Sequence, residues 1–207
     1  MTRKIFFSFH YERDAWRAGQ VRNCNIVAGA GEVAGEDEYG FIDAVDWESI
    51  KKKGDAAVEK WIDDQLKYTS VTVVLVGAET ASRDWVRHEI VKSWNRGNGI
   101  VVIRIHNIKD QQKKTDMAGS NPLDAFKLPD GTILSSICKT YDWVVDNGRE
   151  NLGKWADDAA KIRSKYGKDD TISEAEPTSS PHIASAAGAS AGFTPRSPWC
   201  GSADKNR

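Results

Sequence analysis

Cysteine is scarce: Cys24, Cys138 and Cys200 lie far apart in 207 residues, with no CxxC pair. That usage excludes a disulfide framework and a cysteine-based zinc site, and fits reduced thiols in a cytoplasmic protein. No metal is expected. Charge of either sign is not in excess, since 29 Lys and Arg face 30 Asp and Glu for a net −1. Nucleic acid and anionic membrane surfaces select a basic face, so neither is an expected partner. Long apolar runs are missing too, and no stretch nears the roughly 20 residues of a membrane-spanning helix. The opening MTRKIFFSFHYERD has only a brief apolar run before its charges, which is unlike a secretory signal.

From about Asp170 the chain loses apolar periodicity and becomes rich in Ser, Ala, Gly and Pro. Such composition cannot bury enough surface to offset its ordering entropy. The expected organisation is one domain over residues 1–168 and a disordered tail over 169–207.

Within the domain, strand and helix patterns alternate. KIFFSF (4–9), FIDAVDW (41–47), SVTVVLVG (70–77) and GIVVIRIH (99–106) read as strands. The last two are continuous and β-branched, as central parallel strands buried on both faces should be. DAWRAGQVRNCNIV reads as a helix with Asp14 as N-cap and Trp16, Val21 and Cys24 on its apolar side. DAAVEKWIDDQLKYT, DWVRHEIVKSW and NLGKWADDAAKIRSKY are further amphipathic helices, whereas 107–130 reads as a long polar excursion. The alternation predicts an α/β fold: a mostly parallel sheet with helices on both faces. Ligands of such sheets gather at the carboxyl ends of the strands. That rule selects Ser8, Phe9, His10 and Tyr11 after the first strand, Asp46 and Trp47 after the second, and Thr80 and Ser82 after the third.

The helix DWVRHEIVKSW adds a carboxylate. At about 100° per residue, Val86, Ile90 and Trp94 form its apolar stripe, and Trp85 and Glu89, four apart, share its flank. Glu89 then sits at the border of core and cleft. Two readings follow: a border glutamate paired with Lys92 or Arg96, or a desolvated carboxylate held for chemistry.

KIFFSFHYERD, VRN, SIKKKGDAAVEKWID, SVTVVLVGAETASRDWVRHEIVKSW, GNGIVVIRIHNIKD, NPLDAF and YDWVVDNG, in that order, resemble the TIR-like proteins of bacterial Thoeris anti-phage systems over about Lys4 to Trp155. The resemblance implies a flavodoxin-like TIR fold and an enzyme that breaks NAD⁺ at the nicotinamide–ribose bond. It implies a cyclic or conjugated ADP-ribose product, a diffusible signal to a separate effector, and a phage-derived trigger. NAD⁺ is then substrate, and no cofactor is required. The family's catalytic glutamate falls on Glu89. One carboxylate suffices because nicotinamide already carries positive charge and leaves neutral, so only the ribosyl cation needs stabilising.

Phe9, Tyr11 and Trp47 then line the mouth against water, Trp85 meets the substrate beside Glu89, and Ser8, His10, Asp46, Thr80 and Ser82 contact ribose or phosphate, with turn and helix capping as the alternative for several. TIR domains also assemble, so a homo-oligomer is expected, and a non-catalytic scaffold is the competing reading. A receiver or flavodoxin of the same fold class fits less well. The first strand lacks both the acidic pair and the phosphate loop those would need.

Overall fold

The computed structural model describes residues 3–24, 49–50 and 52–174. The expected strand at 41–47, and with it Asp46 and Trp47, lies outside them.

The elements run in the expected alternation. Strand β1 (Ile5–Ser8) leads into α1 (Tyr11–Arg22). Helix α2 (Asp55–Leu66), strand β2 (Val71–Val76), a 3-10 turn (Thr80–Ser82) and helix α3 (Asp84–Arg96) follow. Strand β3 (Gly99–Arg104), a second 3-10 turn (Pro122–Ala125), β4 (Phe126–Lys127) and α4 (Leu134–Ile137) come next. The chain ends, among the described residues, with β5 (Thr140–Asp142), α5 (Gly148–Arg163) and β6 (Ser173–Glu174).

Strands β1, β2, β3 and β5 form one sheet in that order, all parallel, with Phe7 opposite Val73 and Val73 opposite Val101. Successive side chains of a strand point to opposite faces, and the core divides accordingly. Val71, Val73, Leu75, Val101 and Ile103 pack in one cluster with residues of α1, α2 and α5. Val74, Val76, Ile100 and Val102 pack in another with Val86, Ile90 and Trp94 of α3. The mostly parallel sheet with helices on both faces, the flavodoxin-like arrangement, is therefore present.

The structure corrects several expectations. Asp14 is not an N-cap, because α1 begins three residues earlier at Tyr11 and carries Asp14 inside its first turns, fully buried. Trp16 leaves the apolar side of α1: Val21 and Cys24 are buried, yet half of Trp16 is exposed. The segment 107–130 is not merely polar loop, since Leu123, Phe126 and Leu128 enter the α3-side core. The boundary at 168 is too early. Asp170 O accepts from Trp94 Nε1 at 2.7 Å, Ile172 is buried, and β6 pairs antiparallel with β4. One apolar residue in a polar run offers no periodicity, which is why the sequence hides this extension.

Candidate active site

Helix α3 forms because thirteen residues without Gly or Pro carry apolar side chains at helical spacing, with Asp84 in the first turn and Arg96 in the last. Gly97 ends it in the left-handed conformation, φ 105°. The buried residues of α3 are Val86, Glu89, Ile90, Ser93 and Trp94. A glutamate thus stands in a row otherwise apolar or small.

Two hydrogen bonds lock this face to the sheet. Thr72 Oγ1 donates to Ser93 Oγ at 2.7 Å, and Ser8 Oγ donates to Glu89 Oε2 at 2.5 Å. Ser8 and Thr72 share a sheet face, as the pairing of Phe6 with Thr72 and of Ser8 with Val74 requires. The pairing of Glu89 with Lys92 or Arg96 is not made. Lys92 pairs with Asp63, Arg96 donates to Lys67 O, and Glu89 is only 1% exposed with no cation against it among the described residues.

Glu89 forms part of the wall of a hollow of about 230 Å³ at the carboxyl edge of the sheet. Phe9, His10, Tyr11 and Glu12 line it from the start of α1, and Ser82, Arg83, Asp84, Trp85 and Val86 from the start of α3. Glu89 Oε1 is buried and has no hydrogen-bond partner among the described residues. One oxygen is therefore fixed and the other buried without a partner among the described residues. Burial pushes the Glu89 carboxyl up to about 8, and the Ser8 hydroxyl opposes that rise. Burial thus favours the protonated carboxyl at neutral pH.

Aromatic rings and a histidine share the wall with the charged Glu12, Arg83 and Asp84. The Phe9 and Tyr11 rings lie 4.2 Å apart, and burial, followed by the Glu89 charge, holds the Tyr11 phenol well above its usual range. His10, 8% exposed, is kept below the usual histidine range by burial and then by Arg83, so it is neutral at pH 7. Its Nδ1 has no hydrogen-bond partner among the described residues. Trp85 meets His88 edge-on with ring centroids 5.7 Å apart. Arg83 donates to the Glu79 carboxylate, and its buried Nε has no hydrogen-bond partner among the described residues.

The expected site residues thus separate into groups. Phe9, His10, Tyr11, Ser82, Trp85 and Glu89 converge on one hollow. Ser8 does not line it: fully buried beneath Glu89, it orients the carboxyl instead of touching a ligand. Thr80 does not reach it either. Its hydroxyl accepts from Gly77 N–H at 2.9 Å and donates to Asp14 Oδ2 at 3.4 Å, so it closes the turn from inside. Ser82 lies in the wall while its hydroxyl donates to Glu79 O at 2.8 Å. Glu12, Arg83, Asp84 and Val86 are wall residues that the sequence reading missed. Their signal was adjacency, since each flanks a residue already chosen at a strand end or on α3.

Fold and site together define a class: a flavodoxin-like α/β domain of the TIR type, with one sealed carboxyl where the strands end. The chain belongs to the family described as "Thoeris protein ThsB, TIR-like domain", whose model matches residues 6–110. It is similar to a protein of Bacillus cereus (strain MSX-D12) named "Putative cyclic ADP-D-ribose synthase ThsB1", with 31% identity over 195 residues, covering 75% of this chain and 99% of the relative.

Proposed function

We propose that this protein is a TIR-domain enzyme that cleaves NAD⁺ at the nicotinamide–ribose bond and makes a cyclic or conjugated ADP-ribose signal in anti-phage defence. The carrying observation is Glu89, a fully buried carboxyl with one oxygen unpartnered among the described residues, in the wall of a hollow at the sheet's carboxyl edge. The name of the Bacillus cereus relative, a cyclic ADP-D-ribose synthase, supports the reaction class.

In the proposed reaction, the bond between ribose C1′ and the nicotinamide nitrogen breaks, and its electron pair leaves with neutral nicotinamide. No general acid is consumed. Positive charge develops on the ribose, and the Glu89 carboxylate stabilises it in a site shielded from water. The positive pyridinium of NAD⁺ favours the ionised form of Glu89, so substrate binding itself drives the proton off. Ser8 holds Oε2 and leaves Oε1 to face the sugar. A group of the same ADP-ribose then attacks C1′, loses its proton and closes the product. Phe9, Tyr11 and Trp85 exclude competing water. The product then travels to a separate effector. A scaffold without catalysis would gain nothing from a buried carboxyl with an unpaired oxygen, which costs stability.

The test is nicotinamide release and ADP-ribose products, read by mass spectrometry after NAD⁺ is incubated with extract of phage-challenged cells expressing the protein. Glu89→Gln should abolish both. Product at the parental level from that variant would refute the assignment.

A further inference from the structure

A hollow of about 230 Å³ is smaller than the roughly 300–1,000 Å³ pockets that hold drug-sized ligands. A dinucleotide is at least drug-sized, so the Glu89 hollow accommodates only its nicotinamide-ribose half. The adenosine half needs a second place within reach.

Such a place adjoins the first. A hollow of about 470 Å³ lies between α1 and the loop Asp110–Asp116, and Glu12 lines both hollows. On α1 the residues Glu12, Arg13, Trp16 and Arg17 fall at spacings of one and four, which puts them on one side of the helix. Trp16 is the largest side chain of this wall, and half of its surface is open to solvent. An indole left half-exposed on a helix that buries Tyr11, Ala18 and Val21 is a ready stacking platform.

The opposite wall is pre-formed. Buried Arg17 donates to Ile108 O at 2.9 Å and to Lys114 O at 3.3 Å. Asp110 Oδ1 accepts from the backbone N–H groups of Gln112 and Lys114, and Lys113 takes the left-handed conformation, φ 62°. Two arginines stand along the way between the hollows. Arg13 lines the second, Arg83 lines the first, and both donate to the Glu79 carboxylate.

We infer that the hollow between α1 and the Asp110–Asp116 loop binds the adenosine half of the dinucleotide, with adenine stacked on Trp16 and the two phosphates crossing by Arg13 and Arg83. The inference rests on the reading of NAD⁺ as substrate. Glu12, at the junction, is placed to accept from ribose hydroxyls, as acidic residues do in other dinucleotide sites. Base–aromatic stacking is sequence-tolerant but strong enough that losing the ring weakens binding by about tenfold.

The experiment measures binding of NAD⁺, ADP-ribose and nicotinamide mononucleotide by calorimetry in a Glu89→Gln background. Trp16→Ala should weaken NAD⁺ and ADP-ribose by about tenfold and leave the mononucleotide unchanged. Trp16→Phe should restore most of the loss. ADP-ribose bound as tightly by Trp16→Ala as by its parent overturns the inference. So does an equal loss for the mononucleotide, or binding of the mononucleotide with none of ADP-ribose. Tight ADP-ribose binding that depends on Trp16, together with undiminished nicotinamide release by Glu89→Gln, would instead overturn the catalytic reading and leave this subsite standing.

Discussion

Ser8 and Glu89, 81 positions apart in the chain, meet as a buried hydroxyl and a buried carboxyl at 2.5 Å. This contact decides which carboxyl oxygen is held and which is left without a hydrogen-bond partner among the described residues. It also favours the ionised carboxyl against the pull of burial.

Ser8→Ala should therefore weaken catalysis without touching the substrate. A hydrogen bond to a charged group contributes about 1.5–3 kcal/mol, so nicotinamide release at pH 7 should fall roughly ten- to hundredfold. The rate profile should also move to higher pH, because the group that favours ionisation is gone. A parental profile with a lower plateau would reduce Ser8 to a packing residue.

Glu89 also predicts how the parental rate depends on pH. If the ionised carboxyl is the working form, kcat/KM rises with pH, about tenfold per unit below the pKa, and levels off above about 8. A rate that falls over the same interval would mean that the acid form is the active one.

Stability should show the opposite slope. Glu89 titrates near 4.5 when unfolded and near 8 when folded, so the folded state holds a proton that the unfolded state has lost between these values. Its stabilising share is complete below 4.5 and disappears as pH rises through about 8, with a slope of at most about 1.4 kcal/mol per unit. Asp14, raised from 3.8 to about 6 by burial against the opposing pull of Arg17, adds a slope of the same sign in a lower window. Urea melts of Glu89→Gln should lose the part of this slope above pH 6. An unchanged slope would mean that Glu89 is not buried in solution.

Gly77 leaves room for Asp14. A Cβ at this position would lie 2.3 Å from Asp14 Oδ2, inside the turn that Thr80 closes. Gly77→Ala should cost about 1–3 kcal/mol, and combining it with Asp14→Ala should cost less than the sum of the two single changes. Additive costs in a thermodynamic cycle would show that the clash is relieved some other way.

A chain ending at Gly167 should melt below one ending at Glu174. The shorter one lacks buried Ile172, worth about 1.5–3 kcal/mol by its side-chain burial, and the Asp170 carbonyl that accepts from the Trp94 indole. Equal melting temperatures would return the domain boundary to 168.

Much of this was legible in the sequence because burial on both faces leaves a plain mark. SVTVVLVG and GIVVIRIH have no polar interruption to confuse with a helix, and α3 announced the flank position of Glu89 through Val86, Ile90 and Trp94. What stayed hidden depends on contacts between distant positions. Ser8 could be placed at the end of a strand but not under a particular carboxyl. Thr80 could be read as a cap or as a phosphate contact because a hydroxyl before a helix can face either way, and only the position of Asp14 fixes it inward. Trp16 looked like core because helical spacing does not say how far round a helix the neighbouring elements extend.

All four described strands of the main sheet run in the same direction, so the segments that follow β1, β2 and β3 emerge along one rim. The framework and the recognition surface are therefore written in separate parts of the chain. On the function proposed above, substitutions in the Asp110–Asp116 segment or in the turn before α3 would change how a nucleotide is held while the valine-rich strands stay as they are.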